Sequence, residues 1–238
     1  MKILSIDTTV VAGSVALSEG ARLVVQEQQR VAGTHSERLI SSIDHMLSLA
    51  GWRKEEIEAI AVAIGPGSFT GLRIGLAAAK GMAMGLGIPV AGVSSLESLA
   101  QNGAGFEGTV VPLIDAKRGE LFAAAWAVAA SSRMKRLIGE FAAAPDQVIR
   151  TLKSIKGDLL LVGDGALAYE QALKKGLGRR AHVAQGAMAV AQAVNLAILA
   201  IPRLSRGRGD DLAALVPDYV RLSDAEIGFM VRHKPKCL

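Results

Sequence analysis

KILSID (residues 2–7) and VVPLID (residues 110–115) are two apolar runs, each ending on an isoleucine–aspartate pair. Each reads as a buried strand, and the elements after the two runs are alike. After the first come strands at 13–18 and 22–28, joined at Glu19-Gly20. After the second, in VVPLIDAKRGELFAAAWAV (110–128), come a turn and another strand, and a third strand falls near 134–141. Each half then turns helical. In the first, Leu39, Ile40, Ile43, Met46, Leu47 and Ala50 recur with the period of one helical face. Thr34 with Glu37 forms a capping box at its start and Gly51 closes it. In the second, Pro145 opens the helix, as proline does at the first helical position. The first half continues with a strand at 57–64, a helix to about Leu86, the strand IPVAGV and the helix SSLESLAQNG, where Ser94 and Glu97 form a second box. The second half continues with DLLLVGDGA as strand and glycine turn, a helix at 166–175, a strand at 181–183 and a helix at 187–200. Both halves spell βββαβαβα. The expected architecture is an α/β fold of two duplicated lobes, residues 1–104 and a smaller 105–202. A tail at 203–238 has a path that the sequence does not define.

Composition narrows the function classes. Half of the 238 residues are hydrophobic, only 4% are aromatic, and the formal charge is +5. A basic balance permits contact with nucleic acid, but no aromatic stacking platform accompanies the bases. RGR at 206–208 and the basic run 232–236 read as solvated surface. The single cysteine, Cys237, excludes an internal disulfide and fits a reducing compartment. Residues 181–202 lack charge yet contain His182, Gln185, Gln192 and Asn195, so they read as a buried helix rather than a membrane span. MKILSID reaches an aspartate too soon for a signal peptide. A cytoplasmic protein without a membrane partner is expected.

The strand–ID–turn–strand opening, repeated in two lobes, is the layout of actin-like ATPase (ASKHA) folds. IDTTVVAGSVAL, THSERLI, GPGSFTGLRIGLAAAKGMA, GVSSLESLA, IDAKRGELF and GDGA, in that order, resemble the bacterial TsaB (YeaZ) family. GPGSFTGLRIG is the most specific of these motifs. The resemblance implies a non-catalytic relative of TsaD, the enzyme that places threonylcarbamoyl on adenosine 37 of certain tRNAs. It also implies a heterodimer with TsaD, joined by TsaE and ATP, with tRNA met indirectly through the complex. TsaD-like enzymes carry a metal on a His-x-x-x-His pair. The matching positions here are Ser95 and Leu99, and leucine cannot bind a metal. No metal, and no cofactor in the isolated protein, is therefore expected, with ATP and Mg²⁺ entering only in the complex.

Two enzymatic readings compete with a scaffold. An ATP-binding enzyme of the same fold would use Asp7 and Asp115 at the strand ends, with Gly163 and Gly165 of the GDGA turn. Thr8-Thr9 and Ala116-Lys117 stand where such enzymes place a glycine close to phosphate, and both aspartates can instead cap turns through their side chains. A glycoprotease-like peptidase would need Ser68 as nucleophile with His35 and Asp7, but Pro66-Gly67-Ser68-Phe69-Thr70 is not a nucleophile elbow. The glycine loop itself is neither a Walker A loop nor a Rossmann fingerprint. Its helix instead places Gly71, Gly75, Ala79 and Ala83 four residues apart on one face, with Leu72 and Leu76 beside them. The resemblance implies that TsaB and TsaD join through first-lobe helices. The expected interface is this face together with Leu39, Ile43 and Met46, and it could also serve a homodimer. Gly75→Leu is then expected to abolish partner binding while the monomer stays folded.

Overall fold

The structure, a computed structural model, describes residues 1–30, 35–129 and 134–221. The Thr34–Glu37 box, the His35 side chain, the basic run 232–236 and Cys237 lie outside the described residues and side chains. Strands β1 (Lys2–Asp7), β2 (Ala12–Glu19), β3 (Arg22–Arg30), β4 (Ala59–Gly65) and β5 (Val90–Ser94) form a five-stranded sheet in the order β3-β2-β1-β4-β5. Strands β6 (Gly108–Lys117), β7 (Glu120–Val128), β8 (Met134–Ala143), β9 (Leu159–Val162) and β10 (Ala181–Val183) form a second, in the order β8-β7-β6-β9-β10. In each sheet the first three strands are antiparallel and the last two run parallel to the first. The two topologies are the same, and the LSID and PLID runs occupy equivalent strands. The duplicated two-lobed fold expected from the sequence is therefore present.

Buried parallel strands read as unbroken apolar runs because helices cover both faces. On one face of the first sheet, α1 (His35–Ala50) and α2 (Phe69–Leu86) enclose Leu4, Ile6, Val15, Leu17, Ile60 and Val62. On one face of the second, α4 (Pro145–Leu152) and α6 (Glu170–Leu177) enclose Leu113, Leu121, Leu159 and Leu161. The remaining faces are covered by exchange. The first-half helix α3 (Ser95–Ala100) packs Leu96, Leu99 and Ala100 on Val110, Ile114, Phe122 and Trp126 of the second sheet. The second-half helix α7 (Val194–Leu204) packs Leu196, Ala197, Ala200 and Leu204 on Ile3, Ala59, Ala61, Ala63 and Ala91 of the first. Between the two sheets α7 meets α3, where the buried Asn195 amide donates to the Ser98 carbonyl (3.0 Å) and to Asn102 Oδ1 (2.8 Å). The abundant alanine serves this middle layer, where small side chains let helix and sheet approach closely. The first sheet ends at Ser94 and the second begins at Gly108, while α3 and α7 each cover a face of the other half's sheet.

Two helices also differ from the sequence reading. The helix expected at 166–175 is two, α5 (Asp164–Ala168) and α6, separated at Tyr169, whose φ of −116° and ψ of 22° are not helical. The last helix starts at Val194 rather than 187. The preceding carbonyls are claimed by side chains from the first half: Asn102 donates to Met188 (3.0 Å) and Val190 (2.8 Å), and Gln28 to Ala191 (2.8 Å). These bonds keep the segment from joining the α-helix despite its alanine content, leaving only a short 3-10 turn at Gly186–Ala189. The tail has a defined path to residue 221. Asp210 N–H donates to the Val90 carbonyl (2.7 Å), Gly92 N–H donates to the Asp210 carboxylate (2.7 Å), and Arg203 holds the same carboxylate (3.0 Å), so the tail lines the edge of β5.

The glycine face of α2 points inward. Gly71, Leu72, Gly75, Leu76, Ala79 and Ala83 are buried, as are Leu39, Ile43 and Met46 of α1. All nine residues expected at a partner interface belong to this chain's own interior. A Cβ on Gly71 would strike the Thr8 carbonyl oxygen, and one on Gly75 would strike the Thr8 hydroxyl. Gly81 and Gly85 on the same helix have nothing within 4 Å of a Cβ and are exposed. Gly71→Ala should therefore destabilise the chain by about 1–3 kcal/mol, the cost of overpacking against backbone. Gly81→Ala should stabilise it by about 0.5–1 kcal/mol, the helix-propensity gain. Urea unfolding of the two variants should give shifts of opposite sign, and Gly75→Leu should not yield a folded monomer.

Candidate functional site

The turn after β1 is held against the start of α2. Asp7 Oδ1 accepts from the Thr9 N–H (3.0 Å) and hydroxyl (2.6 Å), so this carboxylate caps the turn. The Thr8 hydroxyl donates to the Gly71 carbonyl (2.7 Å), and the Ser68 N–H donates to the Thr9 carbonyl (2.7 Å). Ser68 is the N-cap of α2, its oxygen accepting from the Gly71 N–H (3.3 Å). The serine of the peptidase reading is thus occupied as a helix cap.

In the second lobe the equivalent turn carries Asp115. Its Oδ1 accepts from the Lys117 N–H (2.8 Å) and its Oδ2 from the Lys117 ammonium (2.7 Å). That hydrogen bond to Asp115 holds the ammonium above its ordinary pKa. Lys117 and Arg118 both sit at positive φ, 62° and 56°, a conformation that costs an L-residue energy and turns the hairpin tightly. Asp164 accepts from the Asp115 N–H (3.1 Å). Burial pushes the Asp164 carboxyl up, the bond from Asp115 N–H pulls it down, and the Asp115 carboxylate pushes it up again.

A cleft of about 530 Å³ lies between the lobes, lined among others by Thr9, Ser68, Thr70, Asp115, Lys117 and Asp164. Of the four residues proposed from sequence for ATP, only Asp115 lines it. Asp7 is buried behind its turn. Gly163 and Gly165 lie against the β6 backbone, where a Cβ would meet the Leu113 carbonyl. The sequence reading did not single out Asp164, although it lies between those two glycines. It also missed the tail residues that cross the cleft mouth. Asp218 N–H donates to the Ile64 carbonyl (2.7 Å). Tyr219 stacks on Phe69 with centroids 5.1 Å apart, and its hydroxyl accepts from Arg73 Nε (3.1 Å). Arg221 pairs with Glu120 of the second lobe (2.6 Å). No local pattern marks these residues, since their partners lie far away in sequence.

Gly67, Gly71, Gly163 and Gly165 each face backbone of this chain on the side that a Cβ would take. Among the described residues no group of three or more His, Cys, Asp or Glu is arranged to hold a metal ion. The sites that a metal-binding histidine pair would occupy, Ser95 and Leu99, are buried on α3 against the second sheet.

A family model described as "TsaD: tRNA N6-adenosine threonylcarbamoyltransferase" matches residues 24–229. The chain is 29% identical to the tRNA threonylcarbamoyladenosine biosynthesis protein TsaB of Bacillus subtilis, over 98% of this chain and 100% of that one. It is 33% identical to the TsaB protein of Haemophilus influenzae, over 74% of this chain and 78% of that one. Among solved structures it resembles a protein from Pseudomonas aeruginosa described as similar to peptidase YEAZ, at TM-score 0.78 and 27% identity, covering 92% and 99% of the two chains. Component A of (R)-2-hydroxyglutaryl-CoA dehydratase from Acidaminococcus fermentans shares the fold alone, at TM-score 0.55 and 14% identity over 86% and 99%.

Two measurements probe the cleft. Because the native state raises the Asp164 pKa, the native state holds that proton more tightly than the unfolded chain does. Its contribution is full below the ordinary aspartate range and is lost as pH rises through the raised value. Asp164→Asn removes that loss, so its stability relative to the parent should improve as pH rises from the ordinary aspartate range through the raised value. Tyr219→Ala should speed hydrogen exchange at 64–70 and around Glu120 while leaving β9 and α7 unchanged.

Proposed function

The chain belongs to the TsaB (YeaZ) family of tRNA threonylcarbamoyladenosine biosynthesis proteins, and on that premise we propose that it is the non-catalytic subunit that holds a TsaD-type transferase in working form. A TsaE-type ATPase joins that assembly, and ATP with Mg²⁺ enters there rather than in this chain's own cleft. Supporting the non-catalytic reading are Ser95 and Leu99 in the positions of a metal-binding pair, and glycines that face backbone instead of an open phosphate site.

The partner surface is the outward side of the helices whose inward side was first expected to serve. One observation carries this assignment. Ala77, Gly81 and Gly85 form a second row of small residues four apart on α2, and this row is exposed. Helix glycines cost about 1 kcal/mol each relative to alanine. Gly71 and Gly75 are offset by contacts inside the chain, whereas a Cβ on Gly81 or Gly85 would meet nothing within 4 Å. A partner helix lying close on that row recovers the cost. Exposed apolar side chains occur on the same two helices: Met84 of α2 is 74% exposed, and Leu49 and Ile40 of α1 are 64% and 49% exposed. A homodimer would use the same row in the absence of the transferase.

Gly81→Leu and Met84→Glu should each weaken capture of the co-expressed TsaD-type subunit at least ~10-fold while the isolated chain stays folded, because neither position is packed. Gly81→Ala should combine a more stable monomer with weaker capture. Depletion in the source cell should lower threonylcarbamoyladenosine in bulk tRNA, and unchanged levels would refute the assignment. Calorimetry of the isolated chain with Mg-ATP should give no heat of binding; micromolar binding with hydrolysis would favour an ATPase instead.

A further inference from the structure

Bases that are dispersed along the sequence converge at one end of the second lobe. Between Arg150 and Arg180 there are seven basic and three acidic residues, so this span carries four of the chain's five net positive charges. The topology explains the convergence. β9 and β10 are parallel, and each is preceded by a helix on the same face of the sheet, so α4 and α6 run side by side in the same direction. Gly176 of α6 lies against the Ile149 side chain, and Arg180 donates to the carbonyls of Leu152 (2.8 Å) and Ile155 beyond α4. Both helix C-termini therefore lie at the end of the sheet where β9 and β10 begin. Asp115 and Asp164, at the far ends of β6 and β9, line the cleft at the opposite end.

Arg150, Lys153, Lys156, Lys174, Lys175 and Arg179 are exposed there. Lys174 pairs with Glu170 (2.6 Å); the other five have no ion-pair partner among the described residues. Cations at a helix C-terminus are favourable within the last turn. Lys156 and Arg179 lie beyond the two helices, and Arg180 already satisfies the last carbonyls around α4. The charge there exceeds what the helix ends call for.

We propose that this end of the second lobe contacts the phosphate backbone of a folded RNA. The inference rests on the assignment to tRNA modification for the identity of the polyanion. It goes beyond that assignment by giving this chain its own RNA contact, away from the α1–α2 face. Five unpaired cations with no aromatic partner suit backbone phosphates rather than splayed bases. Binding is accordingly weak, independent of sequence and sensitive to salt.

The test uses the full chain alone, with a fluorescein-labelled unmodified tRNA transcript, and anisotropy read at several salt concentrations. The variant Lys153→Gln/Lys156→Gln/Lys174→Gln/Lys175→Gln should lose at least ~10-fold in affinity at low salt, and its slope against log salt should fall by roughly 2–4, up to 0.9 per phosphate contact removed. A control with the same loss of charge elsewhere, Arg22→Gln/Arg53→Gln/Lys54→Gln/Lys135→Gln, should stay within about two-fold of the parent. The proposal is overturned if the parent does not bind tRNA, if the two variants lose equally, or if anionic phosphatidylserine vesicles bind this end more tightly than tRNA does. Capture of the transferase, read separately, should be the same for the lysine variant and the parent. A failure there concerns the scaffold assignment and not the RNA contact.

Discussion

The contact between the turn after β1 and the first turns of α2 is backbone against backbone, and much of the first lobe depends on it. It forms only because residues 67, 71 and 75 have no Cβ to keep the Thr8 and Thr9 carbonyls and the Thr8 hydroxyl away. The same approach fixes the entry of α2, the placement of Ser68 as its cap and one wall of the cleft. In a nucleotide-binding protein a glycine-rich strand-to-helix turn keeps that space open for phosphate. Here backbone of this chain lies where a Cβ would go, and the second lobe does likewise with Gly163 and Gly165 against β6. The glycine density of GPGSFTGLRIG is therefore a packing requirement.

Much of this was legible in the sequence. Strand runs ending in Ile-Asp, helix caps at Ser94 and Gly51, and the repeated element order are local signals, and each leads to the observed element. The side-chain capping of turns by Asp7 and Asp115 was legible too, since aspartate two residues before an N–H is itself a local motif. What could not be read was set by distant partners. The start of α7 is displaced by Asn102 and Gln28, about ninety and more than a hundred and sixty residues away. Periodicity gave the small row of α2 but not its direction, because two such rows exist on one helix and only the position of the sheet distinguishes them. The outward row, Ala77-Gly81-Gly85, is the one whose cost nothing inside the chain offsets.

The middle layer joins the lobes more firmly than a hinge between separate domains would. Each sheet has one face covered by the other half's helix, and Asn195 links the two helices directly. Opening the cleft widely would have to shear α3 against α7. The tail adds a second connection across the cleft mouth, from Ile64 and Phe69 on one side to Glu120 on the other. These ties restrict the movement of one lobe against the other.

The exchange of α3 and α7 also bears on how the chain is made. As it leaves the ribosome, the first sheet has all five strands by Ser94, yet the face formed by Ile3, Ala59, Ala61, Ala63 and Ala91 has no cover until α7 emerges, about a hundred residues later. For that interval the nascent first lobe presents an apolar sheet face to solvent or to a chaperone. The first half cannot finish folding before the second is synthesised, so cutting the gene between the halves would leave two fragments that each lack a helix only the other can supply.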